Sequence, residues 1–208
     1  MKLHYSPGSC AMGIHVILEE IGEPYTLSLV ALKDGAQHGP AYKAVNPKSK
    51  VPALDPEDGG PVLTEFPAIA TYLALAHPGA NLIHPGPWGV ARAVEAMDYI
   101  CGTIHPHAFT RQFRPANYTV REEDHPIAVK TARENARKYF DVVEANWRGE
   151  EWWLKTGYSV ADAALFFVSY WQAKRVEEAL PPKVGAHLAR MLARPAVRRA
   201  LEGEGMPA

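Results

Sequence analysis

The sequence predicts an α/β domain followed by an all-helical one. Three observations carry that expectation. Up to residue 77, short β-type runs alternate with helical periodicity; prolines and glycines punctuate residues 78–87; and nearly everything after that repeats at helical spacing.

Lys2–Ser6 reads as a strand. Ala11–Ile21 places Ile14, Ile17, Leu18 and Ile21 on one helical face, and Gly22 supplies the residue that ends a helix in the left-handed conformation. Tyr25–Leu32 is a second strand, and a strand–helix–strand unit implies two parallel neighbours joined by a right-handed crossover. A polar loop, Lys33–Gly39, and a short Ala41–Val45 turn follow. Val51-Pro52-Ala53-Leu54 and Val62-Leu63-Thr64, with Asp58-Gly59-Gly60 between them, form a hairpin. Glu65–His77 returns to helical spacing through Phe66, Ile69, Ala70 and Leu73. The order is β-α-β-loop-β-β-α.

Beyond the punctuated stretch the helices are Trp88–Ile104, Ile127–Trp147, Val160–Val176 and Val184–Leu192, with a short Ala196–Leu201 segment. Their Met, Trp and Tyr residues recur at helical spacing, as core-forming helices require. The expected division is a first domain over 1–78, a linker over 79–87 and a helical domain over 88–208.

A chain of 208 residues holds one large domain or two small ones. With 22 basic and 23 acidic residues it has no general attraction for nucleic acid or an anionic membrane. Arg190, Arg194, Arg198 and Arg199 form a basic cluster that helical spacing reads as a solvated face. The two cysteines, Cys10 and Cys101, cannot build the framework of a small secreted protein, so a reducing compartment is the simpler expectation. No segment is apolar for the roughly 18 residues a membrane helix needs, and the N-terminus lacks the apolar run of a signal peptide. A soluble, cytoplasmic protein is expected.

Cys10 falls in the first turn of the first helix, where free N–H groups and the helix dipole stabilise a thiolate and can lower a cysteine pKa from about 8.5 toward neutrality. Such a thiol suits nucleophilic or redox chemistry; the alternative is a small buried apolar cysteine. Pro52 cannot donate to a sheet ladder, so it opens a strand or sits in a turn. A cis Val51-Pro52 bond would turn the Val51 backbone outward to pair with an extended peptide, whereas a trans bond would simply start the strand. Glu65 opens a helix with Thr64 before it as cap. Its carboxylate is either a partner of the helix dipole or the receptor of a ligand ammonium, in a site fitted to an amino-acid zwitterion. Ser159-x-x-Asp162 ahead of an apolar run is a capping box, structural rather than catalytic. His105-x-His107 lacks a third ligand at recognisable spacing, so no metal is expected. Cys101 reads as a buried helix residue.

The Lys2–Cys10 start, Asn46-Pro47-Lys48…Val51-Pro52-Ala53-Leu54, Thr64-Glu65 with Ile69 and Tyr72-Leu73, and Ser159-Val160-Ala161-Asp162 resemble the glutathione S-transferase family. In combination they are most similar to its bacterial beta class, over essentially the whole chain. The resemblance implies a thioredoxin-like N-terminal domain, an all-helical C-terminal domain, a homodimer and glutathione as co-substrate. It places Cys10 beside the glutathione sulfur, makes Pro52 cis and pairs Val51 with the cysteinyl backbone. Glu65 then takes the γ-glutamyl end, and Lys33 is a looser match to a basic residue near the glycyl carboxylate. Asp98 stands for an asparagine-like ligand contact. A histidine near the sulfur is His105 when counted from Tyr99 and His107 when counted back from Phe109, because His105-Pro106-His107 carries an extra residue. His105 is preferred, since Asp98 and Tyr99 register its helix upstream of the disturbance at Pro106. Phe66 departs from the serine common at its position, which removes a hydroxyl donor to the ligand carboxylate while keeping the backbone N–H. Lys155 replaces a usual glycine, with Gly157 nearby, which implies a rearranged loop.

The activity implied is attack of bound glutathione thiolate on a small electrophile. The electrophile's pocket would be lined by His105, His107, Phe109, Phe113 and Tyr118. Two alternatives share the scaffold: thiol–disulfide exchange through Cys10, and non-catalytic binding of glutathione or hydrophobic ligands.

Overall fold

The computed structural model describes residues Met1–Ala208, which gather into two compact units: Met1–Val90 with Met191–Ala208, and Ala91–Arg190. The strands are β1 (Lys2–Tyr5), β2 (Thr26–Leu29), β3 (Ala53–Asp55) and β4 (Leu63–Thr64). The helices are α1 (Ala11–Ile21), α2 (Pro40–Val45), α3 (Phe66–Ala76), α4 (Pro87–Asp98), α5 (Arg111–Phe113), α6 (His125–Ala145), α7 (Val160–Trp171), α8 (Pro182–Ala193) and α9 (Pro195–Gly203).

In the first unit the strands form one mixed sheet in the order β2-β1-β3-β4. β1 and β2 are parallel, with Tyr5 opposite Leu29; β1–β3 and β3–β4 are antiparallel, with His4 opposite Ala53 and Ala53 opposite Thr64. The crossover helix and the hairpin thus form as the residue pattern predicts. β2 is shorter than the expected Tyr25–Leu32, because β1 offers only four partners: the Val30 N–H makes a last bond to Tyr5 O at 2.7 Å, and the chain then turns through Leu32–Asp34. Gly22 ends α1 at φ 75°, a value available to glycine at little cost, and its N–H caps Leu18 O.

One apolar face is expected on α1, but every residue from Ala11 to Leu18 is buried. The reason is α9, which returns to the first unit and packs on α1 as α3 does. Burying Ile14, Ile17 and Leu18 contributes about 1.5–3 kcal/mol each. The expectation of a solvated arginine face fails at Arg194, which is partly buried for the same reason, while Arg199 keeps about half of its side chain exposed. Arg194 makes a two-pronged pair with Glu20, at 2.7 and 3.0 Å, and Arg199 pairs with Glu19. Glu204, also buried, accepts from Gly8 N at 2.8 Å and from His15 Nδ1 at 3.1 Å.

In the second unit the helix expected to stop at Ile104 runs on to Phe113. Between Tyr99 and Thr110 the backbone takes wide π-type turns, with Pro106 inside them. Such turns absorb one extra residue and tolerate the N–H that proline lacks, so the helix survives where Pro106 was expected to disturb it. α7 is buried along its whole length and continues through similar turns to Val176. Phe109, Phe140, Phe167 and Trp171 meet edge to face with ring centroids 5.0–6.3 Å apart. No helix is long and apolar enough to cross a membrane.

Candidate functional site

The sheet register brings the sequence-predicted residues of the first unit together. β1 is parallel to β2 and antiparallel to β3, so the end of β1 that leads to Cys10 is also the end where β2 leaves toward Lys33 and where β3 begins after Pro52. β4 ends there too, at Thr64, and Glu65 follows. Four segments, 6–10, 30–34, 46–52 and 65–66, therefore share one end of the sheet. Topology alone makes that end a site where loops converge.

The Val51-Pro52 peptide bond is cis. The Val51 carbonyl accepts from the Cys10 Sγ–H at 3.4 Å, so the cysteine and the residue before the proline are in direct contact. Asn46, 1% exposed, organises the stretch between α2 and Val51: its Oδ1 accepts from Lys48 N at 3.1 Å and its Nδ2 donates to Lys50 O at 2.7 Å. Upstream of Cys10, Gly8 adopts φ 67°, and a Cβ there would meet Met206 Cε at 3.0 Å. The Gly8 N–H held by Glu204 ties this loop to the chain's last residues. Nothing local in the sequence signals Glu204, which stands 196 positions away.

Cys10 immediately precedes α1, as expected, but its predicted low pKa is overturned. Burial pushes the thiol up to about 12, against the downward pull of the Cys10 and Ala11 backbone N–H groups. The nearby Glu65 carboxylate adds to the rise and Lys50 opposes it. The residue keeps some open surface, and the Ala11 N–H is also engaged by Ser9 Oγ at 3.3 Å. The helix-end effect is present, but desolvation of the sulfur outweighs it. Cys10 is a neutral hydrogen-bond donor.

Glu65 lies just before α3 at φ 73°, ψ 125°, a backbone region uncommon for a residue with a side chain. The Glu65 side chain makes no cap to α3, and Thr64, expected as the cap, is the last residue of β4, one position before the cap. Both are instead engaged by Lys48, whose Nζ donates to Thr64 Oγ1 at 2.7 Å and to Glu65 Oε1 at 2.8 Å. Phe66, the first residue of α3, is buried at 4% exposure, so an apolar side chain, with no hydroxyl, stands at the start of this helix. Lys33 sits in the turn after β2 without a charged partner.

In the second unit His105 packs edge to face on Phe167 and Trp171, with centroids 5.6 and 5.0 Å away. His107 is exposed, and its carbonyl accepts from Asn135 Nδ2 at 3.2 Å. Asp98 is exposed at the end of α4. Phe109, expected to line a pocket, is 1% exposed and belongs to the core. Cys101 forms no disulfide and keeps part of its surface open rather than being fully buried. The capping box at Ser159 forms as read. A cavity of about 190 Å³ in this unit is lined by Arg92, Tyr99, Asn146 and Trp153 among others, and contains none of the predicted site residues. No group of three or more His, Cys, Asp or Glu side chains is placed to hold a metal.

The N-terminal domain of glutathione S-transferases matches residues 7–76, and the C-terminal domain matches residues 96–195. The chain belongs to the glutathione S-transferase family. Glutathione S-transferase GstA of Escherichia coli O157:H7 is 36% identical over 99% of the chain and 100% of its own length. Among solved structures, a glutathione transferase homologue from Sulfitobacter with bound glutathione matches at a TM-score of 0.87 and 27% identity, covering 99% of this chain and 98% of that one. The bacterial beta-class glutathione S-transferase of Sphingomonas chungbukensis matches at a TM-score of 0.83 and 30% identity over the full length of both chains. The fold is that of the family: a thioredoxin-like mixed sheet with helices, then an all-helical region.

Proposed function

We propose that this protein is a cytoplasmic, homodimeric glutathione transferase that conjugates glutathione to small electrophiles. Residues 1–78 form its glutathione-binding domain, 79–87 the linker and 88–208 the helical domain, whose final residues, Met191–Ala208, pack with the first unit and whose remainder supplies the electrophile's surroundings. The observation that carries the reading is the single sheet end shared by Cys10, Val51, Glu65 and Lys33, in a family whose relatives are glutathione transferases.

Glutathione would lie extended along this end. The Val51 backbone pairs with its cysteinyl residue, Glu65 takes the γ-glutamyl ammonium, and Lys33 and Asp98 take the remaining polar groups. Pro52 and the Phe66 N–H complete the cradle. With the Val51 backbone engaged by the ligand, the neutral Cys10 thiol turns its one S–H from the Val51 carbonyl to the glutathione sulfur and so favours its thiolate, which forms the new carbon–sulfur bond while the electrophile's leaving group departs. His105 receives or returns the proton. The upward shift of the Cys10 thiol favours this chemistry over exchange through Cys10, which needs the cysteine as thiolate. Tyr72 and Leu75, 46% and 54% exposed on α3, offer an apolar face for a second copy.

Turnover of glutathione with an activated halonitroarene tests the reading. Cys10→Ser, which keeps a hydrogen-bond donor, is expected to retain conjugation within about tenfold, and His105→Ala to lose about 10²-fold while His107→Ala loses little. Abolition of all activity in Cys10→Ser would point to exchange; glutathione binding without turnover would leave a binding protein. Light scattering reads the dimer.

A further inference from the structure

Lys48 and Glu65 form an ion pair at 2.8 Å at the converging sheet end, with side chains 50% and 60% exposed. An exposed pair of this kind adds little to folding, so stability does not account for how firmly it is built. Asn46, almost wholly buried, ties the Lys48 N–H and the Lys50 carbonyl of the same loop. Glu65 is held with its backbone in the left-handed half of conformational space. The pair is also unfinished. The Lys48 ammonium has three N–H donors and uses two of them, on Thr64 Oγ1 and Glu65 Oε1, while the second Glu65 carboxylate oxygen has no protein partner.

We infer that Lys48 and Glu65 together recognise an amino-acid zwitterion, Glu65 taking its ammonium and Lys48 its α-carboxylate, so that Lys48 is a specificity-determining residue of this site. The inference rests on the glutathione reading above. Two ion pairs set head to tail place each charge beside two of opposite sign, which a ligand carrying only an ammonium cannot achieve. Phe66 gives the assignment its reason: with no hydroxyl at that position, a ligand carboxylate lacks a side-chain donor from α3, and Lys48 is a cation already held beside the group that takes the ammonium.

Calorimetry on the full chain separates the possibilities. It uses glutathione and a glutathione analogue whose γ-glutamyl α-carboxylate is capped as a primary amide. Lys48→Met is expected to weaken glutathione about tenfold or more and to leave the amide analogue unchanged or slightly tighter, since Glu65 is then free of its competing cation. Lys48→Arg, which keeps the charge, is expected to stay within a few-fold of the parent for both ligands. Equal losses for both ligands in Lys48→Met would mean that Lys48 acts only by orienting Glu65, and no loss for either would make the pair a surface contact; each overturns the inference. Thermal melting shows whether Lys48→Met is folded, and Lys48→Gln repeats the comparison if it is not. If Glu65→Gln leaves glutathione binding untouched, or the parent binds none, the glutathione reading fails. A selective Glu65 effect without a selective Lys48 effect sinks this inference alone.

Discussion

Asp162 stands in the first turn of α7 and Glu65 stands just before α3, so the two carboxylates occupy comparable places beside helix starts. Their surroundings differ completely. Asp162 is fully buried and accepts from Trp153 N, Ser159 N, Ser159 Oγ and His187 Nε2, all within 2.9–3.2 Å. Glu65 is largely exposed, is touched by one lysine, and sits on a backbone that costs energy to hold. A carboxylate whose lone pairs are filled by the protein's own donors is spent on the fold. One left with an open oxygen, in a conformation that local energetics disfavour, is available to something else.

Breaking the saturated member should have the larger consequence. Asp162→Ala leaves the buried Trp153 and Ser159 N–H groups without acceptors, at about 1–3 kcal/mol each, and removes the partner of His187. A loss of about 3–5 kcal/mol in denaturant unfolding is expected, and Asp162→Asn should recover part of it. A loss below 1 kcal/mol would show that the saturation is geometric only.

The unsaturated member should divide the effect differently. Glu65→Ala is expected to change unfolding free energy by no more than about 0.5 kcal/mol, while glutathione affinity falls by about 1.5–3 kcal/mol. Glu65→Gly relieves the left-handed backbone and should raise stability by up to about 1 kcal/mol with the same loss of binding. Calorimetry and unfolding measured on the same samples read both sides; equal changes in stability for Asp162→Ala and Glu65→Ala would erase the distinction.

How much of this contrast was legible in the sequence depends on range. The Ser159–Asp162 box was readable because cap and acceptor lie three residues apart and helix geometry does the rest. α1 was readable to its last residue for the same reason: apolar spacing and Gly22 are local. Strand pairing placed Cys10, Pro52 and Glu65 on one end, because a crossover followed by a hairpin permits few arrangements. What was not legible is whatever another part of the chain decides. Lys48 reaches 17 residues forward to Glu65, Glu204 reaches back to Gly8, and α9 covers α1; none leaves a periodic trace. The run through Pro106 leaves no local sign either, because proline argues for a break and only the wide turns house the extra residue.

Cys10 provides the smallest effect and a test of the same division between local and distant influence. Its position at a helix start argues for a thiolate; its burial against Val51, with Glu65 near, argues for a thiol, and burial prevails. Alkylation at Cys10, followed by mass spectrometry, should therefore be slow and show no inflection between pH 6 and 9. Because the folded-state pKa lies above the value of about 8.5 in the unfolded chain, the neutral thiol's contribution to stability is complete below about pH 8.5 and is lost as pH rises toward about 12. Unfolding measured at pH 7 and pH 10 should accordingly fall further for the parent than for Cys10→Ala. An alkylation midpoint near neutrality would restore the helix end as the dominant influence and return exchange through Cys10 to contention.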